Sequence, residues 1–379
     1  MKVLHLAYCH KLEDTRIFYK ECQSLAKAGY QVHYVTGGDE YRKIEEKNLV
    51  AETITFEKDV SVFKHPFQYH AIRKRNLKKL YDYLLSKEFD VCHIHEAVLV
   101  ETLGFLRKKR NCKLVYDAHE DMPREMLDYF THYGKVKQLF GKALSHCKEI
   151  KENYYVKKTD AVIVATPEIG NRFSKFHKNV SVVRNYAILE PSIVTPRFDS
   201  HSVCYVGSIS PIRGIVNIVK AIGGTDIGFN LAGTIPEDYE RELKALKGWE
   251  NVKTYGYVNK EKVLDIYGTS CIGMLTLLEG KNIENSLPIK LFEYMQSGIP
   301  VIASHFPLWK EIIDNAGCGI CIDPSDIKGM KHSIEALLKD PKKMKEMGEN
   351  GRKAVIEQYN WDTQKATLLN VYSQFERKV

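Results

Sequence analysis

The 379 residues contain no run of about 20 uninterrupted apolar residues, the length a membrane-crossing helix needs. The opening Met1-Lys2-Val3-Leu4-His5-Leu6 passes straight into polar residues, unlike a signal peptide, and a cytoplasmic protein is expected. Charge of one sign is in modest excess: a formal net charge of +8 attracts an anionic partner but falls short of a dedicated nucleic-acid binder, so no nucleic acid is expected. The nine cysteines are an odd number, and Cys92, Cys204 and Cys271 sit in apolar runs as buried reduced thiols do. Cys318 and Cys321 form a Cys-x-x-Cys that has no second pair or nearby histidine to complete a zinc site, and it reads as coincidence. Repeats and low-complexity tracts are missing as well.

With 44% hydrophobic and 27% charged residues the composition is globular, and the length exceeds what one core fills, so two domains are expected. Apolar runs alternate with helical patterns: strands at 3–7, 31–36, 91–95, 114–116 and 161–165, with a helix over 16–28. That alternation is the signature of parallel strands with crossover helices. The pattern lapses between 185 and 200, where two prolines and no period mark a domain boundary. It resumes with strands near 203–206, 229–232, 252–255, 272–275, 301–303 and 319–322. The fold class is therefore α/β, two doubly wound sheets with a cleft between them, and chemistry is sought in loops after strands.

The densest basic cluster, Arg73-Lys74-Arg75 with Lys78-Lys79, lies on a helical segment at 65–89. It reads as a solvated face, with peripheral contact to an anionic membrane as the sharper alternative.

The stretch Asn285-Ser-Leu-Pro-Ile-Lys-Leu-Phe-Glu-Tyr-Met-Gln-Ser-Gly-Ile-Pro carries the most chemistry. Pro288 suits a first helical turn, Gly298 a C-terminal cap and Pro300 the break before a strand. The amino end of such a helix offers backbone N–H groups and partial positive charge to a diphosphate. Lys290 adds a full charge, and Glu293, three residues on, has a carboxylate that accepts from ribose hydroxyls. Read alone, this is an ordinary surface Lys–Glu pair.

It does not stand alone, because the segment resembles the donor-binding core of family 4 glycosyltransferases, in the branch reading Leu-Pro-x-Lys-x-x-Glu-Tyr-Met. Ordered matches extend along the chain: Asp14-Thr-Arg16, His93-Ile-His95, Tyr116-Asp-Ala-His-Glu120, Val206-Gly-Ser-Ile-Ser-Pro-Ile-Arg-Gly214, Tyr255-Gly-Tyr257 and Tyr359-Asn-Trp361. The resemblance implies the GT-B architecture of two Rossmann-like domains: residues 1–188 for the acceptor, 198–358 for the nucleotide sugar, and 359–379 as a helix crossing back to the first domain. It implies a retaining transfer from a UDP- or GDP-sugar to a glycan or lipid-linked saccharide, in bacterial surface polysaccharide synthesis. No cofactor or metal is implied.

By the same resemblance His119, Arg213 and Lys290 are the catalytic set. Gly207, Ser208, Tyr257, Asn285, Ser286, Leu287 and Glu293 hold the donor. Asp14 and Arg16 meet the acceptor, Asp14 with an equal claim to be a helix cap. Asn285 stands where the family carries its first signature glutamate, and Ser208 where many relatives carry a further basic residue. Arg213 and Lys290 are thus expected to share the diphosphate charge, with Gly207 and Gly214 bracketing a loop that approaches it closely. His93 and His95 read as structural. A nucleotide-sugar 2-epimerase on the same frame and a non-catalytic binding subunit are the rival functions.

Overall fold

Short runs of β-branched residues become buried parallel strands, as their composition favours. The computed structural model describes every residue except 63, 132–133, 191–194, 285 and 377–379. Its contacts divide into two compact units, Met1–Asn185 with Gln364–Val379, and Tyr186–Thr363. Against the boundaries read from sequence, the second unit starts at Tyr186, because that ring packs on Phe292 with centroids 4.8 Å apart. The carbonyl of Ala187 also accepts from Trp361 N at 2.8 Å. The last helix, Trp361–Ser373, passes into the first unit from residue 364, and Tyr372 is fully buried there.

The first unit contains β1 (Lys2–Leu6), β2 (Gln31–Gly38), β3 (Lys43–Glu46), β4 (Leu49–Thr55), β5 (Val91–His95), β6 (Lys113–Ala118), β7 (Ala161–Val164) and β8 (Val180–Val182). Their order is β3-β4-β2-β1-β5-β6-β7-β8, and the chain reverses its direction of winding between β1 and β5. The antiparallel β3–β4 hairpin lies outside the expected strands. Its charged alternation is that of a protected sheet edge, and Asn48 supplies the turn with a φ of 63°. Thr15–Cys22 winds more widely than an α-helix, Tyr19 N reaching back to Asp14 O at 3.3 Å, before Gln23–Lys27 continues as α-helix. The wide turn accompanies the burial of Arg16, Lys20 and Glu21 inside the unit.

The basic helix, Pro66–Ser86, buries Ile72, Leu80 and Leu84. Part of its charge is spent internally: Arg75 pairs with Glu57 at 2.6 Å, Lys79 donates to Thr55 O at 3.0 Å and Arg73 to Val98 O. Lys74 and Lys78 remain exposed.

The second unit contains β9 (Ser202–Val206), β10 (Gly228–Ala232), β11 (Val252–Thr254), β12 (Ile272–Leu275), β13 (Val301–Ser304) and β14 (Gly319–Ile322), in the order β11-β10-β9-β12-β13-β14. Winding reverses between β9 and β12, so ligands are expected beyond the carboxyl ends of those two strands. The helix Ile289–Ser297 is seated there by Leu291, Phe292, Tyr294 and Met295, all without exposure. Gly273 in β12 makes room for it, since a Cβ at that position would lie 2.5 Å from the Tyr294 ring. Burying that face leaves Lys290 and Glu293 on the other side.

Gly214 follows the turn Pro211–Arg213 with a φ of 71°, and a Cβ there would fall 2.0 Å from Thr276 O. Gly214→Ala is expected to destabilise the second unit by at least about 1–2 kcal/mol, from backbone strain before any clash is counted. Thermal unfolding followed by circular dichroism checks this, and an unchanged melting temperature would contradict the described loop.

Candidate active site

The second unit gathers the expected donor residues around the ends of β9 and β12. Gly207 follows β9, and a Cβ built on it would lie 3.3 Å from Lys290 Cε, so the lysine stem crosses directly over that backbone. Lys290 Nζ lies 2.6 Å from Glu293 Oε2, which also accepts from Tyr267 OH at 2.8 Å. Both members of the pair are about one-quarter to one-third exposed, at 27% and 30%. The turn carrying Arg213 is tied to the segment after β12, Leu278 N donating to Ile212 O at 2.8 Å. Arg213 Nε is buried without a hydrogen-bond partner, as is the hydroxyl of Thr276.

Pro288 is the cap of the helix, not its first turn. Its φ of −69° suits a helix, but its ψ of 127° is extended, and its carbonyl takes Leu291 N at 3.1 Å. Among the described residues no side-chain cap bond closes this amino end, which leaves the first turn open to an anion. Ser286 is pinned from two sides: its hydroxyl donates to Ile283 O at 2.8 Å, and its carbonyl accepts from Trp309 Nε1 at 2.7 Å. Leu287 is buried beside it, Ser208 is exposed, and Tyr257, on the loop after β11, is 85% exposed. Asn285 lies outside the described residues. An open depression of about 750 Å³, lined by Ser202, Asn230, Lys253 and Asp265 among others, starts from the amino end of β9 and so belongs to another part of the unit.

In the first unit the expected acceptor residues separate. Asp14 is the cap of the wide helix, accepting from Arg16 N at 2.8 Å and Ile17 N at 2.9 Å. Arg16 is a correction: it is 5% exposed, with its guanidinium 3.0 Å from both Asp117 oxygens and 2.9 Å from Val183 O, and it presents nothing to an acceptor. Burial pushes the Asp117 carboxyl up, but the Arg16 charge and then His119 override it and hold it well below the usual carboxylate range. Glu21, buried beside them, is pushed well above its usual range by burial and by the Asp117 charge.

His119 stands after β6 with Nε2 3.1 Å from Asp117 Oδ2 and 3.1 Å from His95 Nδ1. His93 and His95 are fully buried. The ligand atoms of His95, Asp117 and His119 lie within 4.8 Å of one another, but a cation there would compete with Arg16, which already donates to both Asp117 oxygens.

Sequence reading passed over His10 and Glu96, which frame the point between β1 and β5. Glu96 has a φ of 80° and accepts from Tyr8 N at 2.5 Å and Cys9 N at 3.2 Å. His10 Nδ1 is 3.0 Å from Asp14 Oδ2, and its ring meets that of His119 edge-on with centroids 5.4 Å apart. The visible signal was position, since both follow strands flanking the reversal. Tyr267 and Thr276 gave no such signal.

Residues 15–187 match the family described as "Glycosyltransferase Family 4" and residues 195–354 that described as "Glycosyl transferases group 1". N-acetyl-alpha-D-glucosaminyl L-malate synthase of Bacillus anthracis is 22% identical over 351 residues, 89% of this chain and 87% of that protein. Sucrose-phosphate synthase from Thermosynechococcus elongatus superposes with a TM-score of 0.78 at 17% identity, covering 98% of each chain. Anabaena HepE, solved in complex with UDP, superposes with a TM-score of 0.71 at 14% identity, covering 99% of this chain and 100% of that one. The fold is GT-B, with two Rossmann-like units.

Burial pushes the Asp14 carboxyl up, but His10 and the Ile17 N–H more than offset this and hold it down to about 2, against an ordinary 3.8. A lowered acid contributes stability above its unfolded value and loses it as pH falls through the folded one. Asp14→Asn keeps the cap bonds but not the charge. The wild type is expected to lose about 1–2 kcal/mol relative to this variant as pH falls from about 4 to 2, the gap in melting temperature closing over that window.

Proposed function

Because the chain is a glycosyltransferase, with a family 4 domain followed by a group 1 domain, we propose that it transfers a sugar from a UDP- or GDP-sugar to a glycan or lipid-linked saccharide. Transfer retains anomeric configuration and serves a bacterial surface polysaccharide. The nucleotide sugar binds in the second unit. The observation that carries this is the seating of Lys290 across Gly207, beside the uncapped helix end at the reversal between β9 and β12. HepE, of similar fold, is solved in complex with UDP, which supports a nucleoside diphosphate as the group held here.

The chemistry follows from charge. As the bond from sugar to phosphate breaks, negative charge grows on the diphosphate, and Lys290, Arg213 and the first turn of the helix are aimed at it in advance. A pair as exposed as Lys290–Glu293 is worth only about 0.2–1 kcal/mol, so an arriving diphosphate exchanges easily with the carboxylate. Glu293, released but still held by Tyr267, accepts from the ribose hydroxyls. Gly207, Ser208, Ser286 and Leu287 supply close backbone and Tyr257 meets the base, while the role proposed for Asn285 is hydrogen bonding to the sugar hydroxyls. Two cations and a helix end meet the charge without a divalent ion, so transfer requires no metal. The first unit takes the acceptor, with Asp14, His10 and Glu96 at its strand ends and His119 toward the transferred sugar. Lys74 and Lys78 of the basic helix are the residues for peripheral contact with an anionic membrane at its cytoplasmic face.

Lys290→Ala and Arg213→Ala are each expected to lower turnover about 10-fold or more, roughly 1.4 kcal/mol of transition-state stabilisation. A panel of UDP- and GDP-sugars, scored for released nucleotide with and without Mg²⁺, measures this, and the anomeric proton of the product reports retention. Near-normal rates in both variants, or a strict need for Mg²⁺, would overturn the assignment.

A further inference from the structure

Deeper in the first unit than His119 lies a group of polar side chains that the proposed transfer does not use. His5 sits in β1, His93 and His95 in β5 and Glu21 on the wide helix, and none of the four has any exposure. The sheet brings the histidines together: His5 is the register partner of His93, and residues 93 and 95 of one strand share a face. His5 Nδ1 is 2.9 Å from His95 Nε2. Glu21 Oε2 is 4.0 Å from His93 Nδ1 and 4.0 Å from His95 Nε2. One ligand atom from each of the four lies within 4.8 Å of all the others.

Glu21 marks this group as more than a core polar network. Both its oxygens are buried without a hydrogen-bond partner, and so is His93 Nε2. Arg16 Nε is 3.0 Å from Glu21 Oε1, close enough for charge attraction, but its N–H is not directed at the oxygen. An unmet buried carboxyl costs about 1–3 kcal/mol, and the His93 and His95 nitrogens, at 4.0 Å, are too far to relieve it by hydrogen bonding.

We infer that His5, Glu21, His93 and His95 hold a divalent transition-metal ion, zinc by ligand preference, as a structural centre of the first unit. Three imidazoles and one carboxylate suit zinc and its neighbours, whereas calcium and magnesium take all-oxygen sites. Four protein ligands leave no open position, the mark of a structural site. Ligands about 2.0–2.1 Å from a tetrahedral ion sit roughly 3.3 Å apart, so the separations of 2.9 and 4.0 Å change by under about 1 Å, and no pair in the set by more than about 1.5 Å.

The outer nitrogens are already oriented. His93 Nε2 and His95 Nδ1 lie 3.7 and 3.6 Å from Asp117 Oδ2, in the carboxylate–histidine–metal arrangement. His5 Nε2 faces Tyr372 OH at 3.3 Å. That hydroxyl is now 2.6 Å from His93 Nδ1, and metal binding would shift its bond to His5. Glu21, giving up any proton to solvent as the ion binds, supplies one negative charge directly, and Asp117 adds a nearby negative charge that it shares with Arg16. The centre belongs to the first unit and the proposed diphosphate site to the second, so metal here is compatible with metal-independent transfer.

The test uses the full chain, purified without a histidine tag or chelator. Elemental analysis by plasma mass spectrometry is expected to find about one transition-metal ion per chain. Chelator-stripped protein given Co²⁺ should develop the visible absorption of a four-coordinate site, and zinc should raise its melting temperature. Glu21→Gln and His93→Gln should each retain at least about 10-fold less metal, while His119→Ala, outside the set, keeps its full complement. The wild type alone can overturn the inference: folded protein with under about 0.1 ion per chain, silent to Co²⁺ and unmoved by zinc, has no such centre. Loss of metal from His119→Ala as complete as from His93→Gln would also overturn it, pointing to the neighbouring histidines. None of these readouts depends on turnover, so failure of the transfer proposal leaves them intact.

Discussion

The first unit depends on one buried ion pair, the two-oxygen contact of Arg16 with Asp117. It joins the helix that follows β1 to the carboxyl end of β6, and through Val183 O it also holds the chain after β8. Removing one partner from a pair so deeply buried costs about 3–5 kcal/mol, because a charge is left without a counter-charge. The pair also sets the state of its surroundings. Asp117 keeps its charge because Arg16 is there, Glu21 is pushed toward the neutral form by burial and then by the Asp117 charge, and the three buried histidines are pushed toward neutrality chiefly by burial. His119 is placed by the same carboxylate, so the outermost group of the network inherits its position from the innermost.

The second unit uses charge in the opposite way. Its Lys290–Glu293 pair is part-exposed and individually weak, and the rigid part is backbone: Gly207 under the lysine, Gly214 against Thr276 O, and Tyr294 locked over Gly273. A weak pair on a rigid frame is suited to exchange. A strong pair at the centre of a core is not, and this difference separates Arg16 from Arg213 although both follow the first strand of a doubly wound sheet.

Much of this was legible in the sequence. Apolar runs located eleven of the strands, because parallel strands buried on both faces must be apolar throughout. What escaped was the β3–β4 edge, whose exposed face lets charge interrupt the pattern, and β8, too short at Val180–Val182 to show a period. Lys290 and Glu293 could be brought together because a helix fixes their spacing locally, whereas Gly207 joined them only through its place after a strand and the family resemblance. Arg16 could not be read correctly, since its partner is 101 positions away and nothing near it in the chain reveals the carboxylate. The cap at Pro288 illustrates a finer limit: a proline ring constrains φ and leaves ψ to the tertiary structure.

The two reversal points also differ in sign, and that difference sorts what each can hold. Beyond β1 and β5 stand the carboxylates of Asp14 and Glu96, with His10 between them at 3.0 Å from one and 3.6 Å from the other. The imidazole is held protonated further up the pH scale than usual: burial works against this, but the Asp14 hydrogen bond and the Glu96 charge outweigh it. One cation between two anions leaves a net negative site, which repels a diphosphate and accepts from hydroxyl groups. Beyond β9 and β12, Lys290 stands by the Glu293 carboxylate next to the helix end, and Arg213 lies on the turn that follows β9, so cations outnumber the carboxylate. Glu96 holds a left-handed backbone to reach its place, a strain of about 1–3 kcal/mol that the two amide hydrogen bonds from Tyr8 and Cys9 offset. In the proposed transfer, charge alone directs acceptor hydroxyls and donor phosphates to different units, before any contact with a particular sugar is made.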